Sequence, residues 1–123
     1  MAYRQGAACT PNIGLRQRRM RLAVGALATL AGATLLAALL ATDAPRAARL
    51  LVALPFWAGA VGILQHRKKT CIHLASRGLR DLGQGLERLD PDDLVAVRNQ
   101  ARDIHRRALI ATVAYTVASL LIP

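Results

Sequence analysis

Three uncharged blocks, separated by arginine-rich stretches, organise the chain: Leu22–Ala41, Leu50–Gln65 and Ala108–Pro123. The first predicts a spanning helix over residues 22–41, because about 20 residues at about 1.5 Å each reach about 30 Å, the thickness of a hydrocarbon core. A secretory leader has a shorter apolar region of about 7–15 residues, and ATDA at 41–44 makes a poor cleavage site. The second block predicts a span over 47–65, with Ala47 and Ala48 joining it and Arg49 snorkelling to the interface. A re-entrant segment is the alternative, given its length. Pro55 is expected to kink this helix. Phe56 and Trp57 then fall at mid-span, where an aromatic pair points to contact with a partner helix or a lipid. The third block predicts a span over 108–122, with Ile104 extending its apolar face and Arg106 and Arg107 turned toward headgroups.

Between the second and third blocks lies a polar but patterned segment, 66–107. Leu74, Leu79, Leu82, Leu86 and Leu89 fall mostly at helical spacing around Gly83 and Gly85. After Asp90-Pro91-Asp92-Asp93, Leu94, Val97, Ala101, Ile104 and Ala108 recur at three- and four-residue steps. Asp90 suits an N-cap, Pro91 the first helical position, and the two following Asp the positive end of the helix dipole. The segment therefore reads as a helical hairpin. The second span continues to about Leu82, the chain turns near 83–90, and another helix runs from Pro91 into the third span.

Charge orients this arrangement. The chain has 17 Lys+Arg against 7 Asp+Glu, a net charge of +10, and these charges avoid the three blocks. Basic residues flank the cytoplasmic ends of spans. Residues 1–21 hold five Arg and no acid, and 66–107 hold ten Lys+Arg, so both belong inside, with the 42–49 turn and the C-terminus outside. The expected fold is thus an all-α membrane protein of three transmembrane helices, N-in and C-out, in a single domain over 1–123. A basic segment (1–21) leads it, and the helical hairpin lies in the cytoplasm. With 3% aromatic residues and no recognisable nucleic-acid motif, the basic clusters suit anionic lipid headgroups better than nucleic acid. Arg16, Arg18, Arg19, Arg21, Arg67, Lys68, Lys69, Arg106 and Arg107 are the candidate headgroup contacts.

Inside the spans, Gly25, Thr29 and Gly32 share one helix face, as do Gly59 and Gly62, and such residues let helices approach closely. No block contains an acid, a His or a Lys, which argues against an ion pump or a proton relay. No catalytic triad, P-loop or paired carboxylate occurs at useful spacing either, so an enzyme is not expected. The two cysteines, Cys9 and Cys71, both fall on the cytoplasmic side, where disulfides are rare. They read as reduced thiols, as a redox or sulfur-carrying pair, or as metal ligands together with His66 and His73. Nearby Arg67, Lys68, Lys69 and Arg77 disfavour a dication, and the spacing matches no standard zinc pattern. No metal or cofactor is expected.

The stretch NIGLRQRRMRLAVG at 12–25 resembles the opening of the YgaP-like inner-membrane domain, a small bacterial family, at Asn12, Gly14, Arg18, Arg21 and Gly25. Gln17 stands where that family usually carries Asp. The later GAVGILQHRKKTC is similar to the family's glycine-containing second span with a cysteine near its end, so the resemblance covers residues 12–75. It implies a bacterial inner-membrane location. Because some members are fused to a rhodanese domain, it also implies a link to sulfur handling. Two functions follow as expectations. The first is a non-catalytic accessory or scaffold subunit that packs against other membrane subunits or itself. The alternative is a thiol- or sulfur-trafficking membrane protein using Cys9 and Cys71.

Overall fold

The computed structural model describes residues 10–123, and helices make up about three quarters of it. Helix α1 (Leu15–Ala41) opens directly after Gly14, a turn and more before the uncharged block, so it carries Arg16, Arg18, Arg19 and Arg21 as helical residues. It ends where Thr42 Oγ1 donates to the Ala38 carbonyl at 2.8 Å and Asp43 turns through φ 54°. Pro45 starts a 3-10 helix (Arg46–Val52) that passes straight into α2 (Ala53–Lys68). Pro55 stands in the first turn of α2, just after the change of helix type, so the expected mid-span kink is replaced by a change in winding. Two helical stretches, Leu15–Ala41 and Arg46–Lys68, are long and apolar enough to cross a membrane.

The expected helical hairpin over 66–107 is corrected. Its first arm is not helical to Leu82: α2 stops at Lys68 because Lys69 adopts the left-handed conformation, φ 54° and ψ 33°. The turn is held by the Thr70 N–H on the Gln65 carbonyl (3.1 Å) and by Thr70 Oγ1 on the Lys68 carbonyl (2.7 Å). A single turn, α3 (Ile72–Ser76), follows. Then come two short antiparallel strands, β1 (Leu79–Asp81) and β2 (Leu86–Arg88), paired Leu79 to Arg88 and Asp81 to Leu86. Gly78, Gly83 and Gly85 all have positive φ, between 71° and 104°, which a helix does not use. Each would cost a helix about 1 kcal/mol relative to Ala. Of these leucines Leu89 is buried beside Ala75, Val97 and Ala101, while Leu82 and Leu86 are exposed. Ile13 bridges to Asp81, laying the N-terminal segment beside β1. The fold is therefore mostly, but not wholly, α-helical.

The second arm is α4 (Pro91–Leu121), one unbroken helix about 46 Å long. Asp90 Oδ1 accepts from the Asp93 N–H at 2.8 Å, Pro91 is the first helical residue, and Asp92 and Asp93 fill the first turn. Its buried stripe is Val97, Gln100, Ala101, Ile104, Ala108, Thr112, Thr116 and Ser119, at three- and four-residue steps apart from the adjacent Gln100 and Ala101. At the polar end, Val97 and Ala101 close a small core with Ala75 and Leu89, flanked by Ile72 and Leu94. Toward the other end the stripe turns to small residues that allow close approach to α2.

Arg49 was expected to snorkel and instead is buried, 6% exposed. Its Nη1 donates to the carbonyls of Ser119 (3.0 Å) and Ile122 (2.6 Å), the open acceptors at the end of α4. A cation there also suits the negative end of the helix dipole.

Candidate functional site

Interleaved glycine backbones hold α1 on α2. A Cβ built on Gly62 would lie 2.8 Å from the Arg21 carbonyl oxygen and 2.9 Å from Gly25 Cα. One on Gly25 would lie 2.8 Å from the Ile63 nitrogen, and one on Gly59 would run into Thr29 Oγ1 and sit 3.0 Å from the Gly25 oxygen. Gly32 meets a side chain instead, the Phe56 ring at 2.8 Å. The Phe56 ring in turn packs on Tyr115 of α4, centroids 5.7 Å apart.

At the end of this seam several buried polar groups, Gln65, Thr70 and Gln100 among them, gather near Asn12, which is fully buried. Asn12 Oδ1 accepts from the Cys71 N–H (2.7 Å), and Nδ2 donates to the carbonyls of Cys71 (3.1 Å) and Leu79 (3.4 Å). Its backbone N–H donates to Lys69 (3.0 Å), and its carbonyl accepts from Asp81 (2.8 Å). One asparagine therefore ties the segment before α1 to the turn after α2 and to β1. Gly14 follows because its Cβ would sit 3.0 Å from the Leu82 carbonyl oxygen.

Of the arginines expected at headgroups, two turn inward. Arg18 Nε donates to the His66 carbonyl (3.3 Å), and His66 Nδ1 lies 3.0 Å from the Arg18 carbonyl, a contact in which the ring N–H donates. Arg21 Nη2 donates to Cys71 Sγ at 3.2 Å. Cys71 itself is 2% exposed. Cys9, its expected partner, lies outside the described residues. Arg16, Arg19 and Arg67 are exposed, and Lys69 forms the left-handed turn. Lys68, Arg106 and Arg107 surround Asp103 at 3.0, 3.6 and 2.8 Å. The hydrogen bond from Lys68 leads in holding the Asp103 carboxyl below the ordinary carboxylate range, Arg107 adds to it, and partial burial works against both. Among the described residues, no three His, Cys, Asp or Glu side chains gather where they would share a metal ion.

Phe56 and Trp57 do not share a site, since adjacent helical positions face about 100° apart. Trp57 lines a cleft of about 390 Å³ between α1 and α2, with Met20, Val24 and Val61, that ends on Arg21 and Gln65. Phe56 lines a cleft of about 560 Å³ with Thr29, Ile63, Leu64 and Tyr115, edged by Arg67 and Arg107.

Sequence reasoning missed two glutamines. Gln100 Nε2 donates to the Thr10 carbonyl (2.7 Å) and to Thr70 Oγ1 (2.8 Å), and its Oε1 accepts from the Thr10 N–H (2.7 Å). Gln65 Oε1 accepts from the Ile72 N–H at 3.1 Å. The available signal was a long polar residue set among apolar ones: Gln100 beside Val97, Ala101 and Ile104, and Gln65 at the end of the second block. A buried side chain there needs partners. No protein-family model, curated protein or solved structure matches this chain.

Proposed function

We propose that the chain is a non-catalytic three-span protein of a bacterial inner membrane, packing as an accessory or scaffold subunit against a larger membrane complex. One observation carries the third span. Lys68 pairs with Asp103, Phe56 packs on Tyr115, and Arg49 bonds Ser119, so α4 runs antiparallel beside the full length of the Arg46–Lys68 stretch. Residues 103–119 cover about 24 Å on that path, and the helix is uncharged from Ala108 to its end. On this reading the end of α4 crosses the same bilayer as the second stretch. The arginine distribution puts the N-terminus and the β-hairpin on the cytoplasmic side.

The subunit reading is supported by what faces outward. Val24, Leu27, Leu30, Leu109, Ile110 and Val113 are all more than half exposed, while the buried residues of α1, α2 and α4 are mainly glycines, alanines and hydroxyls, with Gln65, Val97, Gln100 and Ile104, and include no acid, His or Lys. We also read residues 12–75 as YgaP-like, since Asn12, Gly14, Arg18, Arg21 and Gly25 are all positions that stitch the start of α1 to its neighbours. Two experiments test the proposal. Single cysteines at Asp43 and Gln84, in a chain otherwise free of cysteine, should react with an impermeant reagent from opposite faces of the membrane. Mild-detergent purification of the tagged chain should bring down a stoichiometric larger complex. Same-side labelling refutes the topology, and a lone small oligomer refutes the subunit role.

The Arg21–Cys71 contact favours a second reading, a thiol- or sulfur-trafficking protein, because a guanidinium donor suits an anionic sulfur group. It requires that Cys71→Ser abolish function and that Cys71 react with a thiol reagent in the folded chain. An inert Cys71 refutes it.

A further inference from the structure

We propose that the cleft between α2 and α4 is a binding site for one anionic phospholipid, with the phosphate on Arg67 and Arg107 and an acyl chain along Phe56, Ile63, Leu64 and Tyr115. The inference rests on the membrane reading above and adds a site and a ligand class to it. The cleft, about 560 Å³, falls within the range of small-molecule sites. Its lining is segregated as a lipid is. Arg67 is the penultimate residue of α2 and Arg107 the last charged residue of α4, so both cations sit at one end. Below them Ile63, Leu64, Ala60 and Ala111 lead down to Phe56 and Tyr115.

Charge selects the headgroup. Arg67, Lys68, Arg106 and Arg107 face a single acid at this corner, Asp103, which Lys68 and Arg107 already contact within 3.0 Å. Asp103 takes only Nε of Arg107, and the described residues offer Arg67 no carboxylate. The corner is left with three uncompensated positive charges, and basic pockets between spans on the cytoplasmic side are where anionic headgroups bind. A zwitterionic lipid would bring its own cation against them. The cleft at Trp57 lacks this feature, because its one arginine, Arg21, is spent on Cys71.

The test uses the full chain, purified in a non-ionic detergent after its membranes have been washed in alkaline carbonate. Native mass spectrometry then follows the uptake of dioleoylphosphatidylglycerol and dioleoylphosphatidylcholine. The wild type should hold one phosphatidylglycerol at roughly tenfold lower concentration than phosphatidylcholine. Arg67→Gln should lose that preference, by about tenfold, the usual worth of one hydrogen bond to a charged group. Arg67 is exposed and makes no hydrogen bond or ion pair with the other described residues, so its replacement should leave folding intact, and Arg67→Lys should restore much of the preference. Ala111→Trp, which fills the cleft, should abolish the tight phosphatidylglycerol, while Arg46→Gln, exposed at the far end of the Arg46–Lys68 stretch, should change nothing. Equal uptake of the two lipids, or an Arg67→Gln chain that binds like the wild type, overturns the proposal. So does displacement of the lipid by equimolar inorganic phosphate, which would mark a free-anion site. A chain released by carbonate overturns the membrane reading and the lipid site together. A retained chain without lipid preference overturns the site alone.

Discussion

Replacing Gly62 with alanine measures how much the stability of this protein depends on backbone contact between α1 and α2. In an exposed helix the change would stabilise, by about 0.5–1 kcal/mol, because alanine loses less conformational freedom. Here the new methyl would meet the Arg21 oxygen at 2.8 Å and Gly25 Cα at 2.9 Å, both backbone atoms that cannot rotate away. Ordinary carbon contacts lie at about 3.5–4.0 Å, so the helices must part locally by roughly 0.6–1 Å, and a gap of that size forfeits about a quarter to a half of each dispersion contact it opens. Overpacking of this kind costs about 1–3 kcal/mol. At the middle of both ranges, Gly62→Ala should therefore destabilise by about 1 kcal/mol net of the propensity gain. On the scale of small domains, where 1 kcal/mol moves the midpoint by about 4–8 °C, the Tm should fall by about that much. Gly32→Ala is the internal control: its methyl meets the Phe56 ring, a side chain that can turn, so its loss should be the smaller. Thermal melts of both variants in one detergent read the difference. If Gly62→Ala melts at or above the wild-type temperature, or below it by no more than Gly32→Ala, the close-approach argument fails.

Three further outcomes are expected. Asn12→Ala removes three hydrogen bonds and strands the buried Cys71 amide, at about 1–3 kcal/mol per unsatisfied group. Hydrogen exchange should quicken at Cys71 and at Asp81, and unchanged protection there would refute the stitching role. Asp103 has a lowered folded pKa, so its ion pairs contribute fully above the ordinary value of 3.8 and are lost as pH falls through the depressed one. Wild-type melts should therefore drop below about pH 4, while Asp103→Asn should be less stable at neutral pH and lose less on acidification; identical pH profiles would refute this. Arg49→Gln uncaps the end of α4 and should cost about 1–2 kcal/mol. Proteolysis or exchange confined to residues near 119–122 would show it, and an unaltered C-terminal turn would refute it.

The segregation of charge from apolar blocks was enough to place α1 and α2, because runs of twenty (22–41) and sixteen (50–65) uncharged, mostly apolar residues are long enough to favour a buried or spanning helix. The start of α4 was equally legible, since Asp90, Pro91, Asp92 and Asp93 act within one turn and need no distant partner. Glycine spacing marked close-packing faces for the same reason, since helical periodicity alone puts Gly59 and Gly62 on one face, but that this face meets Gly25 of α1 is known only from the fold. The 66–107 segment misled because its leucines fit a helical period while Gly78, Gly83 and Gly85 overrode it, and the left-handed turn at Lys69 leaves no compositional trace. Long-range pairings were invisible for a deeper reason. Asn12 with Cys71 and Leu79, Gln100 with Thr10, and Arg49 with the end of α4 join residues 59 to 90 positions apart. Each is made only because a buried polar group must find a partner once packing has removed water. The sequence shows that such groups exist, and only the folded chain decides which of them meet.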